Sequence, residues 1–208
     1  MTVVTSSPTQ EPEPGLRERK KRATRRSLQR AALELVAERG LDDVTVEEIA
    51  AAADVSTRTF FNYFASKEDA LSTTDPDVLA ETLAALAARP PQESALGALQ
   101  AVQLERARQV AGDTEFWRLR AQVIKHYPEL GTRLIGASLA ADHQVASVLA
   151  QRMGVDPRLD PRPMLIAGAA TVAKRTAMGL WLADGQRRDF SDVLAECFQS
   201  LGELAAID

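Results

Sequence analysis

The stretch TVEEIAAAADVSTRTFFNYFASK, from Thr45 to Lys67, holds two helix starts with very little chain between the first helix and the second. Thr45 and Glu48 have capping-box spacing: the Thr45 hydroxyl takes the amide of Glu48, and the Glu48 carboxylate reaches back to the amide of Thr45. The pattern predicts a short helix from Val46 to Ala53. It stops at Asp54, a residue tolerant of left-handed backbone, and Ser56 is a fresh N-cap for a second helix from Thr57 to about Phe64. Two short helices and a tight turn make a helix-turn-helix. On helical geometry Val46, Ile49, Ala50, Val55, Phe60 and Phe64 face one small core, which leaves Thr57, Arg58, Phe61 and Asn62 on the outside of the second helix.

That outward face suits a DNA major groove. Arginine is the natural bidentate donor to guanine, asparagine pairs with adenine, and Thr57 and Phe61 can meet a thymine methyl. Upstream lies a concentrated basic run, Arg17, Arg19, Lys20, Lys21, Arg22, Arg25, Arg26 and Arg30, opposed only by Glu18. The whole chain has 25 basic and 29 acidic residues and a net charge of -4, so a polyanion must be met by this local patch. The run reads either as an arm for the DNA backbone or minor groove, or as a solvated charged segment. It enters an amphipathic helix with Leu28, Ala32, Leu35 and Val36 on one face, ended by Gly40. Before it, residues 1–15 carry Pro8, Pro12 and Pro14 among polar residues and read as a disordered tail.

The remainder predicts helices only. Alanine, leucine, arginine and glutamate dominate and aromatics are 5%, so the expected class is all-α. Ser66 caps a helix that kinks near Thr73-Thr74-Asp75-Pro76 and ends before Pro90-Pro91. Long helices follow at about Glu93 to Val110, Thr114 to His126, Glu129 to Met153, Met164 to Ala183 and Phe190 to Ala205. The last carries the clearest apolar stripe, Phe190, Val193, Leu194, Cys197, Phe198, Leu201 and Leu204. Cys197 lies inside that stripe, which favours packing over redox chemistry; a single cysteine makes no internal disulfide and fits a cytoplasmic chain. Lys174 and Arg175 interrupt the most apolar helix, so no membrane span is expected. His126 and His143 lack metal-ligand spacing. No Walker loop, G-x-G-x-x-G, H-E-x-x-H or G-x-S-x-G element is present, and Asp75 and Asp77 read as turn chemistry, so neither catalysis nor a cofactor is expected.

Thr45, Ile49, Ala50, Ala53, Val55, Ser56, Tyr63, Phe64, Ser66 and Lys67 stand at the spacing of the DNA-binding pattern of the TetR family of transcriptional regulators, which this segment resembles. Asp54 replaces the usual glycine and Phe61 the frequent tyrosine; phenylalanine has no hydroxyl to donate to a phosphate. The resemblance implies a tail over 1–15, an N-terminal three-helix DNA-binding domain over 16–71 and a C-terminal helical effector-binding and dimerisation domain over 72–208. It implies that Thr45, Tyr63 and Lys67 hold phosphates, with Arg22 and Arg25 reaching DNA from the arm and Thr57, Arg58, Thr59, Phe61 and Asn62 on the reading helix. It also implies a homodimer on a pseudo-palindromic operator of double-stranded DNA, repressing transcription.

In that family the last two long helices build the dimer interface, here with Gly168, Leu180, Trp181, Phe198 and Leu201; packing within one chain's own core is the alternative. The C-terminal half is similar to the acyl-CoA-binding branch through Arg89-Pro90-Pro91, Tyr127-Pro128-Glu129-Leu130, Arg152 to Asp156 and Trp181-Leu182-Ala183. An acyl site needs an apolar tunnel, for which Phe116, Trp117, Ile124, Leu134 and Leu139 are candidates, and cations for a coenzyme A head, for which Arg120, Lys125, Lys174 and Arg175 are candidates. The effector is then a long-chain acyl-CoA, or else a drug or other apolar metabolite. A helical protein-interaction module without DNA activity is the distant alternative.

Overall fold

The computed structural model of the chain describes residues 15–72 and 75–204, and all regular structure among them is helical. The expected tail over 1–15 lies outside them apart from Gly15, as do Thr73 and Thr74 at the expected kink. The elements are α1 (Leu16–Arg39), α2 (Val46–Ala52), α3 (Thr57–Phe61), α4 (Lys67–Ser72), α5 (Pro76–Ala88), α6 (Ala95–Val110), α7 (Thr114–His126), α8 (Pro128–Met153), α9 (Arg162–Ala183) and α10 (Phe190–Leu204), with a 3-10 turn at Ala111–Asp113 before α7. No helix of the described residues is long and apolar enough to cross a membrane.

Local chemistry sets the N-terminal elements. Gly40 ends α1 at φ 95°, a backbone that side chains rarely adopt, and its amide donates to Val36 O at 2.9 Å. The capping box forms as expected: the Glu48 amide donates to Thr45 Oγ1 at 3.3 Å and the Thr45 amide to Glu48 Oε2 at 2.9 Å. Asp54 takes φ 54°, and the Ser56 hydroxyl accepts the Thr59 amide at 3.1 Å. α3 ends at Phe61, short of the expected Phe64, because the amides of Tyr63 and Phe64 both turn back to Phe60 O. Asp75 and Pro76 start α5 as a separate helix, Asp75 Oδ1 accepting the Asp77 amide at 3.1 Å.

The capping box yields a prediction. The Thr45 amide, then the Arg39 guanidinium and the Thr45 hydroxyl, hold the Glu48 carboxyl down at about 2. A depressed folded value means that its contribution is complete above the ordinary value of 4.5 and fades as pH falls toward 2. An NMR titration of Glu48 is expected to show that low midpoint. Thr45→Ala, read by chemical denaturation, is expected to cost about 1 kcal/mol.

Two apolar clusters organise the chain. The first joins α1 to α4 through Leu28, Leu33, Val36, Ile49, Phe60, Phe64 and Leu71, but it also takes in Phe116 and Val123 of α7 and Leu130 of α8. The small helix-turn-helix core is therefore continuous with the C-terminal part rather than separate from it. Tyr127 adds a tie, its hydroxyl accepting the Leu41 amide at 3.0 Å. The second cluster holds α5, α6, α8, α9 and α10 together, with Leu86, Leu99, Leu149, Trp181, Phe190, Leu194 and Phe198 at its centre. Arg152 of α8 stitches the end of α5 and the turn after it into this cluster, donating to the carbonyls of Leu86, Arg89, Pro90 and Glu93.

The apolar stripe of α10 thus faces its own chain. Phe198 is 4% exposed within the second cluster, Trp181 lies 5.4 Å from Phe190 ring to ring, and Leu201 packs against the same core. Of the residues expected to meet a partner subunit, Trp181 and Phe198 are buried in their own chain's core and Leu201 is half-buried against it: periodicity marks a face as buried without saying what buries it. On α9 the inward row is Ala167, Ala170, Ala173, Ala177 and Trp181, and the outward side carries Leu165, Val172 and Leu180.

Candidate nucleic-acid interface and ligand cavity

α3 presents the expected outward residues. Phe60 is fully buried beneath it, while Arg58, Phe61 and Asn62 are exposed and Thr57 is half-buried. Thr59 is half-buried, its hydroxyl 2.9 Å from that of Ser56. Beside α3 a groove is lined by Arg17, Lys20, Lys21, Thr24, Thr59, Asn62 and Tyr63.

The basic run is not a free arm: it is helical from Leu16, and its cations divide between two faces of α1. Arg17, Lys20 and Thr24 border the groove beside α3. Lys21 borders it too, but Lys21 and most of the others pair with acids of the C-terminal helices. Lys21 reaches Asp77 at 2.9 Å, Arg22 pairs with Glu81, and Arg26 and Arg30 meet Asp113 at 3.1 and 2.6 Å. Arg25 donates to Tyr63 O at 3.1 Å and lies 4.4 Å over the Phe64 ring, and burial lowers its pKa. Arg22 and Arg25, expected at DNA, are held in this conformation by intramolecular ties. The residues that the run supplies to the groove instead follow from spacing once α1 is known to start at Leu16, since 17, 20 and 24 share one helix face.

The proposed phosphate contacts differ in their surroundings. Tyr63 lines the groove. Thr45 is exposed, with its hydroxyl engaged in the capping box. The Lys67 ammonium donates to Leu41 O at 2.6 Å and Val44 O at 2.8 Å, so in this conformation it fastens the loop before α2.

A cavity of about 640 Å³ opens between α1 and helices α5 to α9, within the usual range of small-molecule sites. Its apolar wall includes Leu99, Trp117, Leu134, Val145, Ala167 and Ala170; its charged wall is Arg22, Arg26, Arg106, Arg120, Lys174, Asp75, Asp113 and Asp142. Of the expected effector residues it brings together Trp117, Arg120 and Lys174, along with Leu134. The other five lie elsewhere. Phe116 is 1% exposed in the first cluster beneath the Arg26 guanidinium, Ile124 packs on that cluster, and Lys125, Leu139 and Arg175 are exposed outside the lining. A helix offers only one face to a cavity, and the expected set drew on several.

Electrostatics differ around the wall. Burial raises the Asp113 carboxyl, but Arg30 and Arg26 outweigh it and hold the group below its ordinary value. Arg120, buried and close to the charge of Arg26, is lowered to about 10. Lys174 keeps much of its surface open to the cavity, yet protein crowds its ammonium and lowers its pKa.

Residues 28–72 match the family model described as bacterial regulatory proteins, tetR family, and residues 93–205 match that of the MftR C-terminal domain. The chain is 37% identical over 175 residues to the HTH-type transcriptional regulator TcmR of Streptomyces glaucescens, covering 81% of this chain and 77% of that protein. Among solved structures it is similar to FadR of Thermus thermophilus, a TetR family transcriptional repressor in complex with lauroyl-CoA, at 25% identity and TM-score 0.52 over 84% of this chain and 91% of that one. NalD of Pseudomonas aeruginosa, the secondary repressor of the MexAB-OprM multidrug efflux pump, shares the fold at 18% identity and TM-score 0.54 over 89% and 96%.

Proposed function

The chain belongs to the TetR family of bacterial regulatory proteins, and on that premise we propose that it is a cytoplasmic, homodimeric repressor that leaves its operator when an effector fills the cavity. One observation carries the reading: α1 borders both sites, the groove through Arg17 and Lys20 and the cavity through Arg22 and Arg26. An effector that binds one setting of α1 more tightly than another weakens operator binding by the same ratio. The DNA-reading part is residues 16–71 and the effector and dimerisation part 72–208, with the cavity drawing on both. The outward face of α9 supports the dimer: Leu165, Val172 and Leu180 are exposed there, and a Cβ added at Gly168 or Gly179 would meet nothing within 4 Å.

The lauroyl-CoA complex of the Thermus relative supports an acyl-CoA effector. Titrating a complex with an operator selected from random duplexes tests this. Release by lauroyl-CoA at micromolar concentration is expected; release by a neutral drug alone moves the reading to a drug sensor, and no release by either overturns it. On the DNA side, Arg58→Ala is expected to cost about 1–3 kcal/mol on the selected site and to relax preference at one position. Lys20→Ala is expected to weaken all sequences alike and to lower the salt slope by roughly 0.9 for each phosphate that it no longer neutralises. Fluorescence anisotropy across duplexes and salt concentrations reads both; a uniform loss for Arg58→Ala removes it from base recognition.

A further inference from the structure

The cations around the cavity fall into two groups. Arg22 and Arg106 share Glu81, and Arg26 pairs with Asp113. Arg120 and Lys174 form no ion pair with any carboxylate of the described residues. Arg120, only 6% exposed, donates to Ser72 O at 2.9 Å, and its guanidinium lies 5.7 Å from the Trp117 ring centre. The nearest acid acting on Lys174 is Asp142, which stays beyond ion-pair distance and accepts the Thr171 hydroxyl at 2.6 Å.

Arg120 is already buried away from solvent, and an occupant of the cavity would strip solvent from Lys174 as well. A neutral apolar body would leave both cations desolvated and uncompensated, which is costly, whereas an anionic group would pair with them in a site of low polarity where charge-assisted hydrogen bonds are strong. Trp117, Leu134 and Val145 supply apolar wall for the rest of the molecule. We propose that the effector is an anionic amphiphile whose acidic group is met inside the cavity by Arg120 and Lys174. The inference rests on the cavity being the effector site and adds the charge that the effector carries.

A free carboxylate and the phosphates of a thioester share this chemistry, so decanoate, decan-1-ol and decanoyl-CoA are titrated into the full chain by calorimetry. Wild-type protein is expected to bind an anionic member at least about tenfold more tightly than decan-1-ol, the scale of one charge-assisted contact. In Lys174→Met that preference should fall to about threefold or less, with decan-1-ol binding unchanged or tighter, and Lys174→Arg should restore it. Decanoate as the preferred anion identifies a free acid, and decanoyl-CoA alone identifies the thioester. Circular dichroism confirms that each variant is folded. Decan-1-ol binding as tightly as both anions, or a preference untouched by Lys174→Met, overturns this inference and leaves the effector site standing. Failure of all three to bind removes the site itself and the inference with it.

Discussion

Leu180→Asp is expected to turn the dimer into a folded monomer and to weaken operator binding about a hundredfold or more. Leu180 is 50% exposed within the chain, so the substitution breaks little of the chain's own packing. In a two-fold dimer the same helix face meets itself, and each carboxylate would be buried against the partner's apolar face without a counter-charge. Losing the partner removes the second reading head, and with it the effective concentration that raises avidity about 10²–10⁴-fold over one half-site. Sedimentation equilibrium reads the assembly, circular dichroism the fold and anisotropy the DNA affinity. An intact dimer would shift attention to α8, where Ile135 and Leu139 are 62% and 56% exposed.

What the sequence revealed of this molecule was what its local chemistry determines. The capping box at Thr45, the left-handed Asp54 and the cap at Ser56 each depend on atoms within a few residues, and they delimit α2, the turn and the start of α3 closely. α7 is likewise bounded as expected, by Asp113 accepting the Phe116 amide at its start and by Tyr127-Pro128 after its end. The exposed outer face of α3 follows from the same short-range periodicity.

The cavity and the basic run were less legible because their determinants are distant in sequence. Lys21 and Arg26 find Asp77 and Asp113 56 and 87 residues further on, so a charge run that looks free is half neutralised by tertiary structure. The cavity wall draws side chains from α1 and from every helix between α5 and α9, and only the helices' mutual rotation decides that Trp117 faces it while Phe116 does not. The same ambiguity governed α10, whose stripe is correct as a buried face although its partner is α9 and α6 of the same chain.

Trp181→Ala should then damage the fold itself, in contrast to its neighbour Leu180. The indole is 1% exposed, packs on Phe190 and donates from Nε1 to Arg188 O at 2.8 Å. Truncation removes the largest buried side chain of the second cluster and opens a cavity that the short Ala177 side chain, one helical turn away, cannot fill. The expected loss is about 3–5 kcal/mol, a large share of the roughly 5–15 kcal/mol typical of a folded protein. Trp181→Phe keeps much of the ring but loses the indole donor, so its cost should be smaller, about 1–3 kcal/mol. Denaturant midpoints must be compared at one protein concentration, since association adds to the stability of any dimer. Full stability of Trp181→Ala combined with loss of the dimer would return this residue to the subunit interface. If instead Trp181→Ala lowers the midpoint while the molecules that remain folded stay dimeric, two adjacent residues of α9 divide the work: Trp181 holds the chain to itself and Leu180 holds it to its copy.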